Sequence, residues 1–393
     1  MAKTGRRNEQ DYRGIMRILF VFGTRPEAIK LAPVIKELQV YPDAFDVKIC
    51  VTAQHRKMLD QVLDFFDIVP DFDLDIMRPD QSLTDITTKT LKGIEEVIFS
   101  CRPEWLIVQG DTTTTFAGAL AAFYQKIRVA HVEAGLRSFH KYAPFPEEMN
   151  RVMTSHLSDF HFAPTPKARD NLLREGIVDE KISVVGNTSI DALFLCLDKV
   201  SNWKADEFPF LERIDFNKRL ILVTGHRRES FGEPFEEICY ALKSIAESNE
   251  VEIVYPVHLN PNVRRPVFKI LSDIPNIHLI EPLDYPSFVW LMNKSYIILT
   301  DSGGVQEEAP SLGKPVLVMR DLTERIEGVQ AGTAKVVGTD RHRIIHEVTR
   351  LLNDREDYEV MSKSLNPYGD GKASVRIREK LLELCNRRFI GDE

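Results

Sequence analysis

Long apolar runs are missing from this chain. None approaches the roughly 20 residues that a membrane-spanning helix needs. The N-terminal "IMRILFVF" is short and broken by Arg17, so it reads as a buried strand and not a signal peptide. Cysteine is scarce: the five at Cys50, Cys101, Cys196, Cys239 and Cys385 are scattered, with no CxxC. That argues against a disulfide framework and fits a reduced, cytoplasmic setting. Excess positive charge is missing too, with 51 Lys and Arg against 59 Asp and Glu for a net −8. A general nucleic-acid or anionic-membrane face is thereby excluded, while a local basic pocket for a small anion is not. No G-x-S-x-G elbow occurs, and no His/Cys/Asp set has metal-ligand spacing, which counts against hydrolase and metal chemistry.

What is present is ordinary in bulk and patterned in detail. At 393 residues, 43% hydrophobic and 28% charged, the chain exceeds the size of a single core, so two domains are expected. Short apolar runs alternate with longer amphipathic stretches. Strands are predicted at Arg17–Phe22, Asp46–Thr52, Trp105–Gln109, Arg128–Glu133, Phe160–Ala163 and Ile182–Val185. A second series follows at Leu220–Thr224, Val251–Pro256, Ile277–Ile280, Tyr296–Thr300 and Pro315–Met319. Helices are predicted between them, among them Pro26–Leu38, Leu83–Phe99, Pro234–Ala246 and Pro286–Met292. This alternation implies an α/β fold of two doubly wound parallel sheets. The expected divisions are a loose extension over 1–15, a first domain over 16–186, a second over 187–372, and an amphipathic C-terminal helix within 373–393.

Ligands of open parallel sheets sit beyond the carboxyl ends of the strands, so the residues just after each strand carry the interest. "GTRPEAIK" at 23–30 contains a capping box, Thr24-x-x-Glu27, with Pro26 in the first turn. Capping accounts for Thr24, Pro26 and Glu27 but not for Arg25 and Lys30, which lie off the buried stripe and suit an anion at a helix N-terminus. "DSGGVQEE" at 301–308 ends a strand and starts a helix at once. Ser302, Gly303 and Gly304 would let backbone N–H groups approach a diphosphate, and Glu308 would reach ribose hydroxyls; a tight Gly-rich turn is the structural alternative. Asp111 ends a strand before four threonines, and a helix cap explains the Asp but says little about the run. Glu133 ends another strand after apolar alternation. Glu147 and Glu148 follow prolines, with Arg151 one turn on, and first-turn acids are also what the helix dipole favours. His226, Arg227 and Arg228 follow the first strand of the second series, as a phosphate arm or as a turn with solvated arginines. Several carboxylates in one partly dry site separate acid from base.

Taken together, "FGTRPEAIK", "QGDTTTTFAGALAAF", "HVEAGLRS", "PEEMNR", "TGHRRESFG", "YPVHLNPNV" and "DSGGVQEEAPSLGKPVLVMR" resemble the non-hydrolysing UDP-N-acetylglucosamine 2-epimerases, in order from about Arg17 to the C-terminal helix. The resemblance implies the GT-B architecture, two Rossmann-like domains with the nucleotide-sugar in a deep cleft between them and the final helix returning to the first. It implies reversible conversion of UDP-GlcNAc to UDP-ManNAc through elimination of UDP to 2-acetamidoglucal and re-addition, supplying ManNAc for cell-surface polysaccharide without a cofactor or metal. Its acid/base residues match Asp111, Glu133, Glu147 and His226. Substrate and UDP positions match Arg25, Lys30, Arg151, Ser302, Gly303, Gly304, Glu308 and the Phe288 backbone. An activating UDP-GlcNAc site matches the stretch with Gln54, although Lys57 stands where some members have Gln. A homodimer is also implied. The alternatives are the hydrolysing relatives, which release ManNAc and UDP, a GT-B glycosyltransferase, and a non-catalytic nucleotide-sugar sensor.

Overall fold

The computed structural model describes residues 14–53, 56–76, 78, 81–204, 208, 211 and 213–388, the side chains of 56, 57 and 386–388 excepted. Gln54 and most of the N-terminal extension therefore lie outside the described residues. By its contacts the chain divides into two compact units, Met1–Asp191 with Gly371–Glu393, and Ala192–Asp370.

In the first unit the elements run β1 (Met16–Phe22), α1 (Arg25–Gln39), β2 (Phe45–Val51), α2 (Arg56–Phe65), β3 (Phe72–Asp73), α3 (Leu83–Cys101) and β4 (Trp105–Gln109). They continue through α4 (Thr113–Tyr124), β5 (Arg128–Val132), α5 (Glu147–Leu157), β6 (Phe160–Ala163), α6 (Pro166–Arg174) and β7 (Ile182–Val184), and α7 (Thr188–Val200) begins in this unit and passes into the second at Ala192. The seven strands are parallel and ordered β3-β2-β1-β4-β5-β6-β7. Ile18 through Phe22 are wholly buried, as expected for a central strand covered on both faces.

The second unit runs β8 (Arg219–Thr224), α8 (Glu233–Ser248), β9 (Val251–Pro256), α9 (Pro261–Leu271), β10 (Ile277–Ile280), α10 (Tyr285–Lys294), β11 (Ile297–Thr300) and α11 (Gly303–Glu308). It ends with β12 (Val316–Val318), α12 (Ile326–Gln330), β13 (Ala334–Val336), α13 (Arg341–Asn353) and α14 (Arg355–Ser362). Its sheet is ordered β10-β9-β8-β11-β12-β13, again parallel. The predicted strands are all found to within a residue or two at their ends. β3 and β13 lie outside the predicted series: Phe72–Asp73 is too short to show a period, and Lys335 interrupts the apolar pattern of Ala334–Val336.

The last helix, α15 (Ala373–Arg388), belongs to the first unit. Buried Asp191 on α7 accepts the N–H groups of Ala373 and Ser374 at 3.1 and 2.7 Å, capping α15 from another helix. Arg378 then lies over the Tyr41 ring at 4.6 Å and pairs with Glu37 on α1. Burial pushes the Cys239 thiol up to about 12 and the Cys50 and Cys196 thiols up as well. These thiols pack as small apolar groups.

Candidate functional site

Each sheet reverses its strand order once, between β1 and β4 in the first unit and between β8 and β11 in the second. Such a switch point opens a crevice at the carboxyl ends of the strands. The loops there are Gly23–Thr24 and Gly110–Thr112 in the first unit, and Gly225–Arg227 and Asp301–Ser302 in the second.

At the first crevice, Gly23 is a packing requirement. A Cβ there would stand 2.0 Å from Thr52 Oγ1 and 2.8 Å from Thr114 Oγ1, atoms that bond each other at 2.9 Å. Gly23→Ala is expected to lower stability by about 1–3 kcal/mol through overpacking, read as a lower urea midpoint. Glu27 does more than cap α1. One carboxylate oxygen accepts the N–H groups of Gly23 and Thr24 at 3.1 and 2.8 Å. The other accepts the hydroxyls of Thr112 and Thr115 at 2.8 and 3.1 Å. Burial raises this carboxyl, against the opposing pull of those donors. The threonine run is thus largely scaffold. Thr112 caps α4, Thr114 meets Thr52, and Thr115 joins Glu27 to the Gln109 carbonyl.

That scaffold presents four of the expected groups near one another. Lys30 Nζ donates to Glu133 Oε1, and Gln109 Nε2 donates to Glu133 Oε2. Glu133 lies just past β5 with φ +63°, a backbone conformation that bulky side chains rarely adopt. Asp111 Oδ2 accepts from Arg151 at 2.6 Å, and its carbonyl accepts from Asn150 at 3.0 Å. Burial raises the Asp111 carboxyl; Arg151 and Lys30 oppose this, while Glu147 adds to it. Glu147 opens α5 with a buried Oε2 that has no hydrogen-bond partner among the described residues. Arg25, the first residue of α1, is half-buried, and its side chain makes no hydrogen bond or ion pair among the described residues.

Two neighbours have structural tasks. Glu148 accepts the N–H groups of Ser138 and Phe139 and lies 3.4 Å from Arg151. His131, fully buried, donates from Nε2 to the Gly110 carbonyl at 2.7 Å, and burial holds the imidazole neutral by lowering it to about 3.

At the second crevice the organising residue is Asp301, a buried strand-end acid. Its Oδ2 accepts the N–H groups of His226 and Arg227 at 2.6 and 2.8 Å, and its Oδ1 lies 3.3 Å from His226 Nδ1. The imidazole of His226 stacks on His258 at 5.3 Å. Burial lowers His226, and Asp301 pulls the other way. The sequence carried a signal for Asp301, since it is the last residue before the Ser-Gly-Gly turn. Gln109 had none, because an amide ending a strand is unremarkable.

The Ser302–Gly304 turn starts α11. Gly303 serves Arg325, whose Cζ would lie 2.9 Å from a Cβ, and Arg325 bonds Glu307 at 2.9 Å. A Cβ on Gly304 would meet nothing within 4 Å. Glu308 ends α11, half-buried, and Phe288 lies on α10 with its N–H donated to the Asp284 carbonyl at 3.0 Å. Of Lys57 only the helical backbone of α2 is described. Among the described residues no group of three or more His, Cys, Asp or Glu is placed to hold a metal ion, and no helix is long and apolar enough to cross a membrane.

Comparisons with known proteins agree with one another. The family model described as UDP-N-acetylglucosamine 2-epimerase matches residues 36–382. The UDP-N-acetylglucosamine 2-epimerase of Escherichia coli strain K12 is 58% identical over 373 residues, 93% of this chain and 98% of that one. The crystal structure of the Neisseria meningitidis UDP-GlcNAc 2-epimerase bound to UDP-GlcNAc is similar with TM-score 0.84 and 53% identity, covering 94% of this chain and all of that one. The Methanocaldococcus jannaschii UDP-GlcNAc 2-epimerase in complex with UDP-GlcNAc and UDP is similar with TM-score 0.76 and 37% identity, over 93% and 99% of the two chains. The two parallel α/β units are those of the GT-B fold. On this footing the chain belongs to the UDP-N-acetylglucosamine 2-epimerase family.

Proposed function

We propose that this chain interconverts UDP-GlcNAc and UDP-ManNAc by the non-hydrolysing route. The observation that carries this reading is the pair of carboxyl groups at one crevice in contrasting surroundings. Asp111 is paired with Arg151 yet raised by burial, and Glu133 is held between Lys30 and the neutral Gln109 amide. Contrasting environments of this kind divide acid from base.

The sugar C2–H is not next to a carbonyl, so direct deprotonation is too slow. In the proposed course a carboxylate takes the C2 proton, the C1–O bond to the diphosphate breaks, and 2-acetamidoglucal and UDP result. Return of a proton to the opposite face of C2 and re-formation of the C1–O bond give the epimer. Asp111, Glu133 and Glu147 are assigned the proton transfers, with Asp111 as a proton donor. His226, oriented by Asp301, assists at the diphosphate, where negative charge develops. Arg25, Lys30 and Arg151 are assigned to the substrate and its phosphates. Ser302, Gly303, Gly304, Glu308 and the Phe288 backbone are assigned to UDP. The structures of relatives with UDP-GlcNAc and UDP bound support a nucleotide-sugar as ligand.

One experiment tests this. In deuterated water, UDP-GlcNAc is expected to yield UDP-ManNAc carrying deuterium at C2, followed by NMR. Free ManNAc and UDP would instead identify a hydrolysing enzyme, and an unchanged sugar would rule out both. The same reading includes a cytoplasmic homodimer that feeds ManNAc to a cell-surface polymer and is activated by UDP-GlcNAc at a second site. Sedimentation checks the dimer. A sigmoidal dependence of rate on UDP-GlcNAc checks the activation.

A further inference from the structure

We infer that Gln109 is a positioning residue that holds the Glu133 carboxylate in its working orientation. The inference rests on reading Glu133 as a reacting group. Gln109 ends β4 and is buried, after the wholly apolar Trp105–Val108. No packing need calls for an amide there, and burying one is costly unless it is bonded. Its Nε2 donates to Glu133 Oε2 while Lys30 Nζ donates to Oε1, so the two oxygens are held from two different elements. One donor alone would leave the carboxylate free to rotate about its last bond; two define its plane.

The backbone that carries the amide is well anchored. Gln109 pairs with Val132 in the sheet, its main-chain carbonyl accepts the Thr115 hydroxyl at 2.6 Å, and the next N–H, that of Gly110, donates to Val132 O at 3.0 Å. Glu133 needs such support because its backbone leaves the strand with positive φ, where no regular neighbour fixes the side chain. A neutral amide also orients the carboxylate without adding a second cation beside it. Lys30 alone then supplies the balancing charge at this contact.

The test uses the full chain with UDP-GlcNAc in deuterated water. Gln109→Met keeps the length and removes the donor. It is expected to lower kcat about ten- to hundredfold, the scale of a small misplacement of a reacting group, with KM within about twofold. Gln109→His restores an N–H at nearly the same reach and is expected to recover kcat to within about fivefold of wild type. Should Gln109→Met not fold, Gln109→Glu matches the amide's shape and replaces the donor with an acceptor, and is expected to lose kcat at least as strongly. Wild-type kcat in Gln109→Met or Gln109→Glu overturns the inference, as does a rise in KM alone or a His variant no better than Met. Failure of the underlying reading looks different: wild type would not exchange at C2, or Glu133→Gln would retain full exchange.

Discussion

Asp111→Asn and Glu133→Gln are each expected to slow deuterium incorporation at C2 by about a hundred- to ten-thousandfold, the usual weight of a positioned proton-transfer group. Binding of UDP, measured by calorimetry, should stay within about threefold of wild type, because neither change removes a group assigned to the nucleotide. The two variants keep shape and remove only the ability to exchange a proton. Asparagine at 111 still offers an oxygen to Arg151, so that 2.6 Å contact survives. Glutamine at 133 can accept from Lys30 but must turn an NH₂ toward Gln109, which can turn its own carbonyl in reply. Full exchange in either variant would remove that residue from the proposed chemistry.

Glu27→Ala is expected to cost about 3–5 kcal/mol in the unfolding of the first unit, because it strips the acceptor from four donors in a buried place. Two of those donors are backbone N–H groups of the β1–α1 loop and two are hydroxyls of the β4–α4 loop, so both edges of the crevice loosen together. Thr115→Val removes the one hydroxyl proton shared between Glu27 and the Gln109 carbonyl and is expected to cost about 1–2 kcal/mol. Urea titrations followed by fluorescence and far-UV circular dichroism measure both. A loss for Glu27→Ala no larger than for Thr115→Val would mean that the carboxylate is only an ordinary helix cap.

Much of the fold follows from local pattern. Apolar strands such as Ile18–Phe22 and Ile297–Thr300 are buried on both faces, and that double burial writes a continuous apolar run which is visible without coordinates. The helix start at Thr24 is legible for a similar reason, since a capping residue acts on its own next few neighbours. Local pattern also fell short at one place. The threonines after Asp111 suggested more than a cap, yet Thr112 and Thr115 turn to Glu27, which lies far away in sequence.

The candidate site divides along the same line. Strand-end acids, bases and glycines are exposed to inspection by the α/β rule that ligands gather beyond the carboxyl ends of strands, and seven motifs in order carried the family resemblance. Partners that meet across the sheet are not written in any window of sequence. Lys30 and Gln109 reach Glu133 from α1 and β4, and Asp301 reaches the His226 loop from β11 to β8. By itself the sequence determined the alternation of elements, the strand-end acids and bases, and the family. Only the tertiary structure decided which side chain holds which, because those hydrogen bonds depend on the lateral order of the strands.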